Sequence, residues 1–240
     1  WQNLLNIALP NINLLFGKAS VNNFDPMLPG RYAQIMDKMK TLDDQIKLVW
    51  LKSMDVGQIM VREYRKDSGG NVEKVNSWGR FRWVPCAEIA ENEEAALLKT
   101  RDNLIKVGNS ELRVVVLEAE IQEEMEECDS VGNVFINPIE ISSQNMKIKT
   151  DSDKDGYFLV ADVYYPGWEA YINGNEVDVY RADYLFYAFR LPSGQNDIEI
   201  IYRPKWFYIG STLSGITFVF VILSVIIITC YYRKKKTVSI

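Results

Sequence analysis

"YFLVADVYYPGWEAYINGNEVDVYRADYLFYAFRLPSGQNDIEIIYRP", residues 157–204, is the stretch that decides the fold. Its apolar runs are short, β-branched and aromatic, and Pro-Gly, Asn-Gly and Ser-Gly pairs punctuate them, so each run reads as a strand between turns. In "YINGNEV" the Asn173-Gly174 pair predicts a hairpin, because both residues accept the positive φ of a type I′ turn. "VFINPIEISSQNMKIKT" before it reads as a further strand run, and short strands at this spacing predict a sandwich. Upstream, "PGRYAQIMDKMK" puts Tyr32, Ile35, Met36 and Met39 on one helical face. "TLDDQIKLVWLKSMD" predicts a second helix with Thr41 as its cap and Asp44 favouring the positive N-terminus. "GQIMVREYR" and "GRFRWVPCAEI" each read as one strand, "NEEAALLKTRDN" as a short helix and "LRVVVLEAEI" as a strand. The expected fold class is α+β: a mixed N-terminal part at 1–110, an antiparallel β-sandwich at 111–205, one transmembrane helix at 206–232 and a basic tail at 233–240.

The transmembrane assignment rests on "WFYIGSTLSGITFVFVILSVIIITCYYRKKK". From Ile209 to Cys230 no residue is charged, and about 22 residues at roughly 1.5 Å each cover the roughly 30 Å hydrocarbon core. Trp206, Phe207 and Tyr208 precede this run, and Tyr231 and Tyr232 follow it, as interfacial rings do. Arg233, Lys234, Lys235 and Lys236 place the far end in the cytoplasm by the positive-inside rule, which puts the bulk of the chain outside. An outside domain must be carried across, and "WQNLLNIALPNINLLFGK" has no basic n-region or cleavage site. The expectation is therefore the C-terminal piece of a longer membrane protein. Gly210, Ser211, Ser214 and Gly215 recur four apart and admit a second helix at close range. Upstream spanning helices of the same protein are thus expected partners, together with the lipid bilayer.

Composition narrows the chemistry. The formal net charge is −5 and there is no histidine. Nucleic acid is excluded as a partner because phosphate binding needs a clustered basic face. Ser-His-Asp and Cys-His nucleophile systems and His-ligated zinc are excluded as well. No cofactor motif stands out, and no cofactor is expected. Cys230 lies in the span, leaving Cys86 and Cys128 as the available extracytoplasmic disulfide pair.

"DSDKDG", Asp151 to Gly156, fits the start of a calcium loop, with Asp162 at the twelfth position. Such a loop is flanked by helices and ends on a bidentate acid, whereas strand-like sequence flanks this one and would place Asp162 inside a strand. The favoured reading is a β-hairpin tip on which Asp151, Asp153 and Asp155 cap backbone N–H groups and Gly156 supplies positive φ. No metal is assigned. The acidic run "LEAEIQEEMEECDS", beginning at Glu118, reads as a solvated connector.

"YYPGWEAYINGNEVDVYRADYLFYAFRLPSGQNDIEIIYRPKWFYIG" followed by a spanning helix resembles the C-terminal end of the bacterial YfhO-type membrane proteins. "PNINLLFGKASVNNFDPMLPGRY" and "LKSMDVGQIMV" resemble the start of that family's large extracytoplasmic region. The resemblance implies a polytopic, GT-C-like glycosyltransferase that modifies cell-envelope polymers from lipid-linked sugars. It also implies that the catalytic carboxylates lie in earlier loops, so this fragment is not expected to catalyse alone. The alternative is a single-span envelope protein that binds glycan or protein. Candidate substrate contacts are Asp25, Arg31 and Tyr32 in a polar corner, and Tyr165 and Trp168 flanking the Pro166-Gly167 turn. The competing readings are an Arg31–Asp25 structural pair and rings that close a core.

Overall fold

A computed structural model describes residues 30–61, 71–107, 114–119 and 132–237. Helix α1 (Gly30–Met39) turns Ile35 and Met39 inward. Helix α2 (Asp44–Ser53) is capped by Asp43, whose carboxylate accepts the Gln45 N–H at 2.9 Å. The expected cap, Thr41, instead donates its hydroxyl to the Lys38 carbonyl at the end of α1. Asp43 wins because an N-cap oxygen must reach the N–H two or three residues ahead. Strands β1 (Gln58–Val61) and β2 (Asn71–Lys74) form a separate antiparallel ribbon.

Strands β3 (Phe81–Val84) and β4 (Cys86–Ile89) divide what reads in sequence as one strand. Pro85 separates them, having no N–H to offer a ladder. Helix α3 (Glu93–Val107) and strand β5 (Val114–Glu118) follow. The remaining strands are β6 (Val134–Ile141), β7 (Asn145–Ser152), β8 (Gly156–Val160), β9 (Trp168–Ile172), β10 (Asn175–Val177), β11 (Tyr180–Ala182), β12 (Phe186–Leu191) and β13 (Gly194–Tyr202). Helix α4 (Lys205–Thr237) ends the described chain.

These strands make a five-stranded sheet, β10-β9-β13-β7-β6, and a six-stranded sheet, β3-β8-β12-β11-β5-β4. The six-stranded sheet takes β3 and β4 from before residue 110 and the rest from after it. Its two edge strands are consecutive in the chain and joined through Pro85, so the sheet bends back toward itself there. Pairing is antiparallel except between β4 and β5, which run parallel from Cys86↔Val114 to Ile89↔Leu117. Helix α3 supplies the crossover that a parallel pair requires.

Two apolar layers hold the fold. Between the sheets lie Met146, Ile148, Phe158, Val160, Ala170, Ile172, Tyr187, Phe189, Leu191, Ile198 and Ile200. The other layer joins Ile35, Met39 and Trp50 of the helices to Val115, Val116, Leu117, Leu159, Phe186 and Ala188 of the six-stranded sheet. That central sheet is covered on both faces, which is why β5 reads as an unbroken "VVVL" and β12 as "FYAF". The predicted β9–β10 hairpin is present, with Asn173 at φ 51° and Gly174 at φ 83°.

The aspartate segment is not a hairpin tip. β7 belongs to one sheet and β8 to the other, so residues 153–155 cross between sheets. Gly156 also lacks positive φ, and its requirement is space: a Cβ there would lie 2.5 Å from Trp83 Nε1 and 2.6 Å from Cε2. "VFINPIEISSQNMKIKT" folds as two strands, β6 and β7, around Ser142, whose hydroxyl accepts the Asn145 N–H at 2.9 Å.

Candidate functional site

Two regions of the sandwich combine exposure with organised chemistry, and they lie at opposite ends of β13. At one end the sheet joins the apolar helix. Only Arg203 and Pro204 separate β13 from α4. The Arg203 N–H donates to the Gly167 carbonyl at 2.7 Å, and the Phe207 N–H donates to the Pro204 carbonyl at 3.0 Å. Gly167 has φ 119°, and a Cβ on it would stand 2.9 Å from Pro204 Cα, so the Pro166-Gly167 turn packs directly on the junction. The Tyr202 N–H donates to the Gln144 carbonyl at 2.8 Å, which ties the β6–β7 turn to the same place. Ile139 and Ile141 on β6 and Tyr165 before the Pro166-Gly167 turn are exposed. Within α4, the 24 residues Lys205–Ile228 are long and apolar enough to cross a membrane.

At the other end, a cavity of about 530 Å³ opens on the outer face of the five-stranded sheet. Alternation along β7, with Met146, Ile148 and Thr150 buried, sends Lys149 and Asp151 to that outer face. Register then builds two rows: Phe135, Asp151 and Gln195 in one, and Asn137, Lys149 and Asp197 in the next. Asn173 extends the second row, accepting the Asp197 N–H at 2.9 Å and donating its amide to Asn196 Oδ1 at 3.0 Å. Phe135, 65% exposed, stands at the groove's margin on the edge strand.

The residues singled out in sequence are distributed differently. Asp25 lies outside the described residues. Arg31 on α1 makes a two-pronged contact with Glu118, one arm at 2.8 Å, and reaches Glu93 at 3.2 Å. Its guanidinium lies 4.9 Å from the centre of the Tyr184 ring. Glu118 is thus a structural partner and not part of a solvated connector; the rest of that acidic run lies outside the described residues. Tyr32 packs partly buried against the helix-side core, and burial raises its phenol pKa. Trp168 closes the inter-sheet core, its ring stacked 5.2 Å from that of Tyr187 and tilted against that of Tyr202 at 5.0 Å. Tyr165 remains 54% exposed beside the helix junction. Arg31 and Tyr32 therefore serve the helix-side layer, while Trp168 serves the inter-sheet one.

Asp153 accepts the Asn133 N–H at 2.8 Å, Asp155 accepts the Ser193 N–H at 2.8 Å, and Gln195 donates to Asp151 at 3.3 Å. The three carboxylates serve three different partners. Asp162 is claimed by Arg80 through bonds of 2.9 and 2.5 Å. Asp155 is held below the usual carboxylate range, chiefly by the Ser193 backbone N–H.

A second cluster went unnoticed in sequence. Asp183 and Tyr184 both adopt positive φ, at 45° and 66°, in the β11–β12 turn. Asp183 accepts the Val116 N–H at 2.9 Å, and burial pushes its carboxyl up to about 6. Arg82, also buried, is lowered to about 10 by desolvation and donates to the Ser53 carbonyl at 2.8 Å. Cys86 is disulfide-bonded; Cys128, the other cysteine outside the span, lies outside the described residues.

The C-terminal strands and the first turns of the apolar helix beyond them fall in the region that this chain shares with known proteins. The family model for the bacterial membrane protein YfhO matches residues 120–214. An uncharacterized protein YfhO of Bacillus subtilis (strain 168) is 36% identical over 87 residues. The matched region is that of a YfhO-type bacterial membrane protein. The match takes in 36% of this chain and spans 9% of the Bacillus subtilis YfhO protein. No solved structure matches.

Proposed function

We propose that this chain is the extracytoplasmic C-terminal domain and last spanning helix of a polytopic glycosyltransferase-like protein that acts on cell-envelope glycopolymers. In this reading the domain is accessory and catalysis resides elsewhere in the protein. The observation that carries it is the junction. A two-residue link, packed on Gly167 and bonded to it, fastens the sandwich to α4 without a flexible tether. A domain so held stands at a fixed height and orientation on the bilayer, which suits presenting a polymer to membrane-embedded chemistry.

Sidedness is supported from both sides of the apolar segment. Arg233, Lys234, Lys235 and Lys236 lie in the last turns of α4, beyond that segment, and favour a cytoplasmic C-terminus. The disulfide at Cys86 belongs to an oxidising compartment. Gly210 and Gly215 have open space where a Cβ would stand, which leaves room for a neighbouring helix of the same protein.

The test is enzymatic. The isolated chain in detergent, given a lipid-phosphate sugar, forms no glycosylated product, whereas the full-length protein does. Loss of transfer when residues 134–202 are removed from the full-length protein supports an accessory role. Turnover by the isolated chain, abolished by a substitution within it, would overturn the reading.

A further inference from the structure

The groove on the outer face of the five-stranded sheet has the composition and spacing of a saccharide site. We propose that it binds a neutral glycan chain, with Phe135 as the stacking platform and Asn137, Asp151, Gln195 and Asp197 as hydroxyl partners. The proposal rests on the preceding reading in one respect, that this face meets envelope polymers.

The argument starts from the register. Adjacent strands lie about 4.8 Å apart and alternate residues about 6.7 Å apart along a strand. The Phe135–Asp151–Gln195 and Asn137–Lys149–Asp197 rows therefore form a grid with a pitch close to one sugar ring. A polymer of rings laid along a row meets a new side chain at each strand.

Chemistry selects the ligand class. Each sugar hydroxyl is both donor and acceptor. Carboxamides offer both roles in one group and carboxylates add strong acceptors. Asn137 is exposed on β6 and lines the groove, where its amide can offer a donor and an acceptor to a ligand. Phe135 offers the one large apolar face among the lining residues, matching the C–H face of a pyranose. Two carboxylates face one ammonium, and Lys149 already stands 3.5 Å from Asp197. That balance disfavours an anionic polymer, which needs a surplus of cations. The open, polar lining equally disfavours a small apolar ligand, which buries most of its surface in an apolar pocket.

The floor is set before a ligand arrives. Asn173 is bonded to the Asp197 N–H and to Asn196, and Asn196 donates to the Pro192 and Gly194 carbonyls at 2.9 and 3.2 Å. A fixed floor cuts the ordering cost of binding. About seven strand residues separate Gln195 from Tyr202, so the groove stands roughly 20 Å from the helix junction, clear of the lipid surface.

The experiment uses the detergent-solubilised chain titrated with oligosaccharides of glucose, galactose and N-acetylglucosamine, and in parallel with poly(glycerol phosphate). At least one neutral oligosaccharide binds, Phe135→Ala weakens it at least tenfold, and Asn137→Ala and Gln195→Ala weaken it several-fold at an unchanged Tm. Binding of poly(glycerol phosphate) alone, no binding of any neutral sugar, or binding indifferent to Phe135 and Asn137 would each overturn the proposal. Topology does not enter this assay, so a groove that binds on a domain later found in the cytoplasm would defeat the functional reading and leave the site standing.

Discussion

Replacing Gly156 with alanine tests whether "DSDKDG" is a packing device. The new Cβ would stand 2.5 Å from Trp83 Nε1, against an ordinary contact of about 3.5–4.0 Å, so β3 or the indole must move by about 1 Å. Movement is resisted on both sides. Trp83 pairs Phe158 across the β3–β8 ladder, and a Cβ on Gly132 would also strike its ring. Overpacking of this kind costs about 1–3 kcal/mol. Alanine at a residue without positive φ returns about 0.4–1 kcal/mol by restricting the unfolded chain. The net is a loss of roughly 1–2 kcal/mol, a Tm fall of about 2–8 °C for a domain of this size. Thermal unfolding of Gly156→Ala in the wild-type and Trp83→Leu backgrounds isolates the cause. The account predicts a coupling of about 1 kcal/mol or more, with the alanine nearly silent once the indole is gone. Equal losses in both backgrounds would refute the packing argument. Calcium is expected to leave Tm unchanged, whereas a bound site at 100-fold excess would add about 2.7 kcal/mol. A calcium-dependent rise abolished by Asp153→Ala would restore the metal reading.

Removing the partner of Arg31 discriminates between its two acids: Glu118→Ala should cost about 2 kcal/mol because that pair is mostly shielded, and Glu93→Ala under about 1 kcal/mol because Glu93 is half exposed. Denaturant unfolding with equal losses for both would contradict this ranking. Asp183, raised from 3.8 to about 6, gives a pH signature. Between about pH 4 and pH 6 the folded state keeps a proton that the unfolded chain has released, so stability falls as pH rises through that window, by about 3 kcal/mol at most, and levels off above it. The Asp183→Asn variant should lack this slope while keeping the acceptor for Val116 N–H; an unchanged slope would assign it to other groups.

The strands of the sandwich were legible because turn chemistry punctuates them, and the Asn173-Gly174 hairpin and α4 follow from local sequence alone. What local sequence withholds is which strand pairs with which. "GRFRWVPCAEI" gives no sign that Pro85 sends its halves to opposite edges of one sheet, and "NEVDVYRA" gives none that β10 and β11 serve different sheets. The groove depends on the same long-range register. Phe135, Asp151 and Gln195 lie far apart in the chain, and each looks like an ordinary outward residue until the ladder aligns them. The sole local trace is an aromatic at an outward position of β6. The Asp183 turn was hidden for another reason: positive φ at an Asp-Tyr pair breaks the expectation of glycine, and tertiary contacts hold it in place.

The central claim is that the sandwich stands outside the cell, fixed to the last helix. Its most direct measurement is thiol labelling of the full-length protein in intact cells with an impermeant maleimide. A cysteine replacing exposed Ser193 should react at once, and one replacing Thr237 should react only after permeabilisation. Labelling of Thr237→Cys with protection of Ser193→Cys would put the domain in the cytoplasm and contradict the account.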